Sequence, residues 1–392
     1  MDLKRRDFLA GMAALGSASL LPPEIAAAQE QVQPIADKTK YKYSKPIIDA
    51  RTEWYAPSYV DQIEKEGAAN GVTEIHRNEL GELECTVPGS HPYAPRARFR
   101  REMMDVDIIL KGMDDRDVNM YTLTQTNPHV LWATPSFGLE LARVINNDTS
   151  ALCAKYPTRF TGAITLPLQD VHASLYELER ARKLPGMRAV EITENILGRN
   201  IGDKDFWPLY EAIEAANLPI FTDNIDPFSE RMIENDYSMM NVLGNPFEAT
   251  MAATSMVLSG AMDQFPNLDI FMIHAGGFFA FATPRMDWSM GTAAYFPQGR
   301  TKSFANLKLP RASDYRRRFH YDLILHDPNI TRMLIDLVGV DRVTCGTGFP
   351  QGMGIMKPVE YVESIPNITQ RECEIILCEN PARLLRYSFA GG

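Results

Sequence analysis

The feature that most limits the fold of this chain is an alternation: short apolar, β-branched runs, each followed by an amphipathic stretch of helical period. The runs lie at 46–51, 119–124, 160–167, 187–193, 218–223, 269–274, 319–325 and 343–348. Between them, "VHASLYELERARKL" sets Val171, Leu175, Leu178 and Ala181 on one helical face, and "FWPLYEAIEAANLP" does the same with Leu209, Ile213 and Ala216. Eight strand-then-helix units predict an α/β fold, a (β/α)8 TIM barrel whose parallel sheet is buried. The length of 392 residues suits one such domain, spanning 46–392. Residues 66–100, which carry His76, His91 and several Gly and Pro, are too long for a simple connection and are expected to form a lid-like insertion after the first strand.

Residues 1–28 read as a targeting segment. "KRRDFLAGMAALGSASLL" joins a basic start to an uncharged run too short to span a bilayer, and "AAAQ" gives a small-residue cleavage context near Ala28. Arg5 and Arg6 followed by Asp7, Phe8 and Leu9 resemble a twin-arginine export signal, so a periplasmic protein is expected, with residues 29–45 as a linker and no stable membrane insertion after cleavage. Residues 1–28 hold as many basic as acidic residues, so the net charge of −10 survives their removal, and an acidic chain is a poor partner for nucleic acid. The five cysteines show no C-x-x-C spacing; Cys373 and Cys378 lie near enough in sequence to pair, but buried free thiols are expected.

In a barrel of this kind the chemistry sits at the C-terminal ends of the strands. The polar residues there are Arg51 and Glu53 on the first, Gln125, Asn127 and His129 on the second, Glu191 and Thr193 on the fourth, Asp223 and Asn224 on the fifth, His274 on the sixth, and Asp322 and His326 on the seventh. The eighth run offers "GTG". Trp54, Tyr55 and Phe349 stand near these ends as candidates for a flat apolar substrate pocket, with packing in the core as the competing role. His129 and His326 read as capping or packing residues.

Several segments, "IIDARTEWYAPSYV", "NLPIFTDN", "FPNLDIFMIHAGG", "VTCGTGFP" and "ENPARLL", resemble in order the blocks of the amidohydrolase-related family, over about residues 46–386. That family includes α-amino-β-carboxymuconate-ε-semialdehyde decarboxylase and γ-resorcylate decarboxylase. The resemblance implies a first strand ending in D-x-H-x-H, a histidine on the fifth and an aspartate on the eighth, together holding one zinc or similar ion. Here those positions are Arg51, Glu53, Asp223 and Gly348. His274 in "HAGG" is similar to the family histidine that works as acid and base beside the metal.

A guanidinium offers N–H donors and a positive charge, not a lone pair for a metal. The expectation is therefore a site without metal or other cofactor, in which Arg51 binds the acid group of the substrate and stabilises developing negative charge. His274, Glu53 and Asp223 would then move protons, and Arg51, Trp54, Tyr55, Asn224 and Phe349 would contact substrate. The function expected is an exported C–C lyase, decarboxylase-like or aldehyde-releasing, acting on a small aromatic or conjugated acid, with a homodimer as the largest assembly foreseen. Two other classes stay open: a metal-dependent hydrolase, and a non-catalytic periplasmic binding or accessory protein that kept the barrel.

Overall fold

The computed structural model describes residues 42–89, 97–224, 238–291 and 307–388. Seven parallel strands form one sheet in chain order: β1 (Ile48–Trp54), β2 (Met120–Gln125), β3 (Phe160–Ile164), β4 (Met187–Thr193), β5 (Ile220–Asp223), β6 (Ile270–Met272) and β7 (Phe319–Tyr321). The eighth predicted strand is present as an irregular segment. Val343 bridges Tyr321 on β7, Phe349 bridges Thr52 on β1, and the amides of Thr344 and Ala50 bond to Tyr321 and Cys345 respectively. Residues 343–349 therefore join the two edges and close the barrel.

Every residue of β1, β2, β3 and β5 is buried, polar ones included, as a sheet covered on both faces requires. Helices α1 (Pro57–Glu66), α2 (Val106–Asp115), α3 (Pro135–Lys155), α4 (Val171–Ala181), α5 (Trp207–Ala215) and α6 (Asn245–Leu258) follow the strands. Inside the barrel, Ile48, Ala50, Ala163 and Ala189 pack with Phe221 and Phe271, and Ala382, Leu384 and Leu385 close the same cluster. The two phenyl rings lie 5.0 Å apart between centroids. The lower barrel is thus filled with apolar side chains, and polar chemistry is confined to the upper rim.

The insertion falls between α1 and α2 and contains an antiparallel sheet of Thr73–Arg77, Leu83–Thr86 and Ala97–Arg98. His76 is exposed on it, bonded to the Glu74 carbonyl, and does not approach the strand ends. His91 lies outside the described residues, as do residues 1–28. Among the described residues no helix is long and apolar enough to cross a membrane. All five cysteines are buried and unpaired.

A register shift between Asp49 and Thr52 marks a bulge in β1. It separates Asp49 from Arg51 and Glu53, which simple alternation would put in one row; a bulge re-aims side chains in this way. Asp49 is fully buried and accepts from Thr347 N at 3.0 Å, Thr347 Oγ1 at 2.5 Å and Arg116 Nη2 at 3.3 Å. Arg116 also donates to the carbonyls of Ile355 and Met356 at 3.0 Å and to the Tyr121 hydroxyl, and lies 4.1 Å from the Phe349 ring centroid. One ion pair thus ties β1, β2 and the closing segment together. Removing one partner of a buried pair leaves an uncompensated charge, at a cost of about 3–5 kcal/mol. We predict a loss of that size for Arg116→Met in urea unfolding, and substantial recovery when Asp49→Asn is added.

Candidate active site

Arg51 is the centre of the rim. Its guanidinium is 4 % exposed, and Nη2 stands 2.5 Å from Glu53 Oε1 and 2.7 Å from Asp223 Oδ1. The second oxygen of Asp223 is 3.1 Å from His129 Nε2. The chain Glu53, Arg51, Asp223, His129 spans β1, β5 and the loop after β2. Burial opposes the charge of Asp223, but Arg51 and His129 outweigh it and hold the carboxyl below its usual range. Glu53 has less help: burial pushes it up to about 7 against the pull of Arg51. Nε of Arg51 and Oε2 of Glu53 are buried without a partner.

Gly348 explains how the guanidinium fits. Its φ of +66° favours glycine, and a Cβ placed there would stand 3.0 Å from Arg51 Nη1. The space that a side chain at 348 would occupy is thus bounded by Arg51.

His274 opens a turn in which four successive residues, His274 to Gly277, all have positive φ, from 49° to 67°. A Cβ on Gly277 would fall 1.8 Å from the Pro246 carbonyl oxygen, so the final glycine of "HAGG" is required by the close approach of α6. Asp322 holds this turn: it accepts from the amides of His274 (2.9 Å), Ala275 (2.7 Å) and Ile324 (3.0 Å). Burial, with Arg51 adding to it, lowers His274 to about 3, and Nδ1 has no partner. The imidazole is therefore held neutral at ordinary pH.

Glu191 and Glu194 complete the rim. Glu191 Oε2 accepts from Gln125 N at 3.2 Å and Thr165 Oγ1 at 3.4 Å, and Oε1 is unpartnered. Glu194 accepts from Thr222 Oγ1 at 3.2 Å. Burial first, and Asp223 second, raise both well above the carboxylate range. Beside Glu191 lies a small cleft whose polar lining is His129, Thr165, Glu191 and Thr193 and whose apolar wall includes Leu131, Leu166 and Leu168. As it stands it has room for about one water molecule.

The structure therefore brings Arg51, Glu53 and Asp223 together, with His274 near enough for Arg51 to act on its ionisation. It turns the aromatic candidates elsewhere. Trp54 donates Nε1 to Thr149 on α3 at 3.0 Å. Tyr55 bonds the Asn127 carbonyl at 2.6 Å and meets Phe99 edge-on. Phe349 stacks under Arg116. These contacts hold all three rings in place by packing and hydrogen bonds. Asn224 follows Asp223 and gives it its amide at 2.8 Å. His326 is half-buried. His129 is corrected from a capping residue to a partner of Asp223, and Glu191 and Asp322 gain contacts that their strand-end positions alone did not reveal.

The resemblance implies a metal, and the residues at its position do not fit one. Arg51 cannot ligate, Gly348 has no donor, and Nη2 already bridges the two remaining carboxylates. Among the described residues His129, Glu191 and Asp223 bring donor atoms within 4.8 Å of one another. Asp223 is shared there with the fixed guanidinium.

The profile of the amidohydrolase family, Amidohydro_2, matches residues 73–387. A 2-amino-3-carboxymuconate-6-semialdehyde decarboxylase of Dictyostelium discoideum is 28 % identical over 298 residues, covering 74 % of this chain and 79 % of that one. The solved structure of 5-carboxyvanillate decarboxylase from Sphingomonas paucimobilis superposes with a TM-score of 0.71 at 24 % identity, covering 88 % of this chain and 99 % of that one. A dihydroxybenzoic acid decarboxylase from Polaromonas sp. JS666, solved with bound manganese and 2-nitroresorcinol, gives 0.67 at 19 % identity over 87 % and 97 % of the two chains. With the family profile covering most of its length and the barrel shared with these structures, the chain belongs to the amidohydrolase family.

Proposed function

We propose that this protein is an exported decarboxylase of a small aromatic or conjugated acid that works without a metal ion, Arg51 supplying the positive charge. The observation that carries the reading is the guanidinium itself, held by Glu53 and Asp223 at the rim where the resemblance places the ion. The names of the relatives support the reaction class. Decarboxylation breaks the C–C bond to CO₂ and leaves its electron pair on the substrate carbon, so a cation near the developing charge stabilises the transition state. The unpartnered Nε of Arg51 is the N–H available for this task. Because Nη2 is taken by two carboxylates, the grip of Arg51 on the acid group is limited to what Nε and Nη1 offer. Neutral His274 accepts a hydrogen bond or a proton from a ring hydroxyl.

The direct test is CO₂ release from a panel of hydroxybenzoic acids by purified protein dialysed against chelator. Full activity in the dialysed protein is expected; loss that manganese or zinc restores would overturn metal independence. For export, Arg5→Lys with Arg6→Lys should retain the protein in the cytoplasmic fraction, and unchanged fractionation would remove that part of the reading.

His274→Ala should lower kcat by about 10²–10⁴ while leaving the fold intact. Its ionisation gives a second check. The folded value of about 3 lies below the ordinary 6.5, so the unfolded chain takes up the proton first, and stability is lost as pH falls from 6.5 toward 3. Between pH 6.5 and 5 the wild type should lose about 1 kcal/mol more than His274→Asn, a figure reduced for the partial exposure of the ring. Equal losses in thermal or urea melts would contradict a neutral His274.

A further inference from the structure

We propose that Asp322 positions the His274 imidazole for the reaction, acting through the backbone of its turn and not through the ring; this rests on the decarboxylase reading and adds a residue to it. A catalytic histidine is commonly oriented by a carboxylate on its second ring nitrogen. Here Nδ1 of His274 is buried and has no such partner among the described residues, so the backbone that carries the ring sets its direction. That backbone is strained. His274 and Ala275 have φ of 49° and 50°, left-handed values that a residue with a Cβ seldom adopts and that persist only where the surroundings over-determine them.

Asp322 supplies what the turn lacks. The amides of Gly276 and Gly277 close the turn on itself, donating to the carbonyls of Ile273 at 2.9 Å and His274 at 2.8 Å. The amides of His274 and Ala275 go to the carboxylate instead, one to each oxygen: Oδ2 accepts from His274 at 2.9 Å and Oδ1 from Ala275 at 2.7 Å. Oδ1 also accepts from Ile324 N at 3.0 Å, which fixes the side chain to its own loop. The carboxylate is held in turn by the barrel. Asp322 is fully buried, its amide donates to the Met272 carbonyl at the end of β6 at 3.2 Å, and the next amide, of Leu323, reaches the Gly346 carbonyl at 3.3 Å. A Cβ at Gly346 would stand 2.6 Å from the Phe271 ring and 3.3 Å from Asp322 Cβ, so the first glycine of "GTG" leaves this aspartate its room. All three groups that meet the carboxylate are N–H donors. An asparagine would turn its NH₂ toward one of them, donor against donor, and release that part of the turn.

The test measures CO₂ release from the hydroxybenzoic acid panel for Asp322→Asn in the wild-type and His274→Ala backgrounds, and for Asp322→Asn combined with Ala275→Gly. We expect Asp322→Asn to lower kcat by about 10–10² with KM changed less than about threefold, since it displaces a reacting group and not a binding one. In the His274→Ala background the same substitution should change kcat by less than about twofold, because the ring it positions is gone. Adding Ala275→Gly should restore part of the lost kcat, since glycine accepts a positive φ without help from a carboxylate. Should Asp322→Asn alone fail to fold, the combined variant takes its place in both backgrounds; failure of both to fold would make the role purely structural and overturn the assignment. A folded Asp322→Asn with wild-type kcat, a loss as large without His274 as with it, or His274→Ala at the wild-type rate also overturns it, each leaving the decarboxylase reading intact. Wild type that releases no CO₂ from any acid tested removes both.

Discussion

The rim of this barrel depends on one guanidinium. Glu53, Glu191, Glu194, Asp223 and Asp322 are all buried around the strand ends, and Arg51 is the arginine they share. Five carboxylates cannot all ionise in so small a low-dielectric volume, and the structure divides them. Asp223, which has both Arg51 and His129, stays charged. The others are pushed upward by burial, Glu53 and Asp322 to about 7, and Glu191 and Glu194 well above the usual carboxylate range. Without Arg51 the last stable anion would lose its main partner. The same ion pairs raise Arg51 further above its already high range despite burial, so the cation is permanent in a way that a dissociable metal is not.

That permanence has a structural origin. The bulge in β1 sends Asp49 to Arg116 and leaves Arg51 and Glu53 facing Asp223. Gly348 gives up the side chain that would collide with Nη1. The turn at His274 is pinned by two amide bonds to Asp322 and by a glycine that no larger residue can replace. Each device holds a functional group with contacts from outside the reacting volume, the arrangement by which a rigid scaffold keeps a polar site in register.

Much of this was legible in the sequence. Short β-branched runs alternating with helical patterns let all eight positions be placed, and the strand-end rule then pointed to Arg51, Glu53, Asp223 and His274. The irregular eighth segment was not distinguishable from a strand, because its pairing is broken by Gly346 and Gly348 in three dimensions. The aromatic residues Trp54, Tyr55 and Phe349 were misdirected by nearness in sequence: the side-chain direction at a strand's last residues depends on the bulge and on the insertion, neither of which has a local signature. His129 carries no motif, and its role arises from the distance to Asp223, 94 residues away.

The central claim is that Arg51 has taken the place of the metal, with Gly348 as its counterpart. Calorimetric titration of manganese into the wild type and into Arg51→His with Gly348→Asp tests it most directly. The account predicts no saturable binding at the wild-type site, and one ion per chain in the double variant, where two donors return and the fixed charge is gone. Stoichiometric binding by the wild type, abolished by Asp223→Asn, would contradict it.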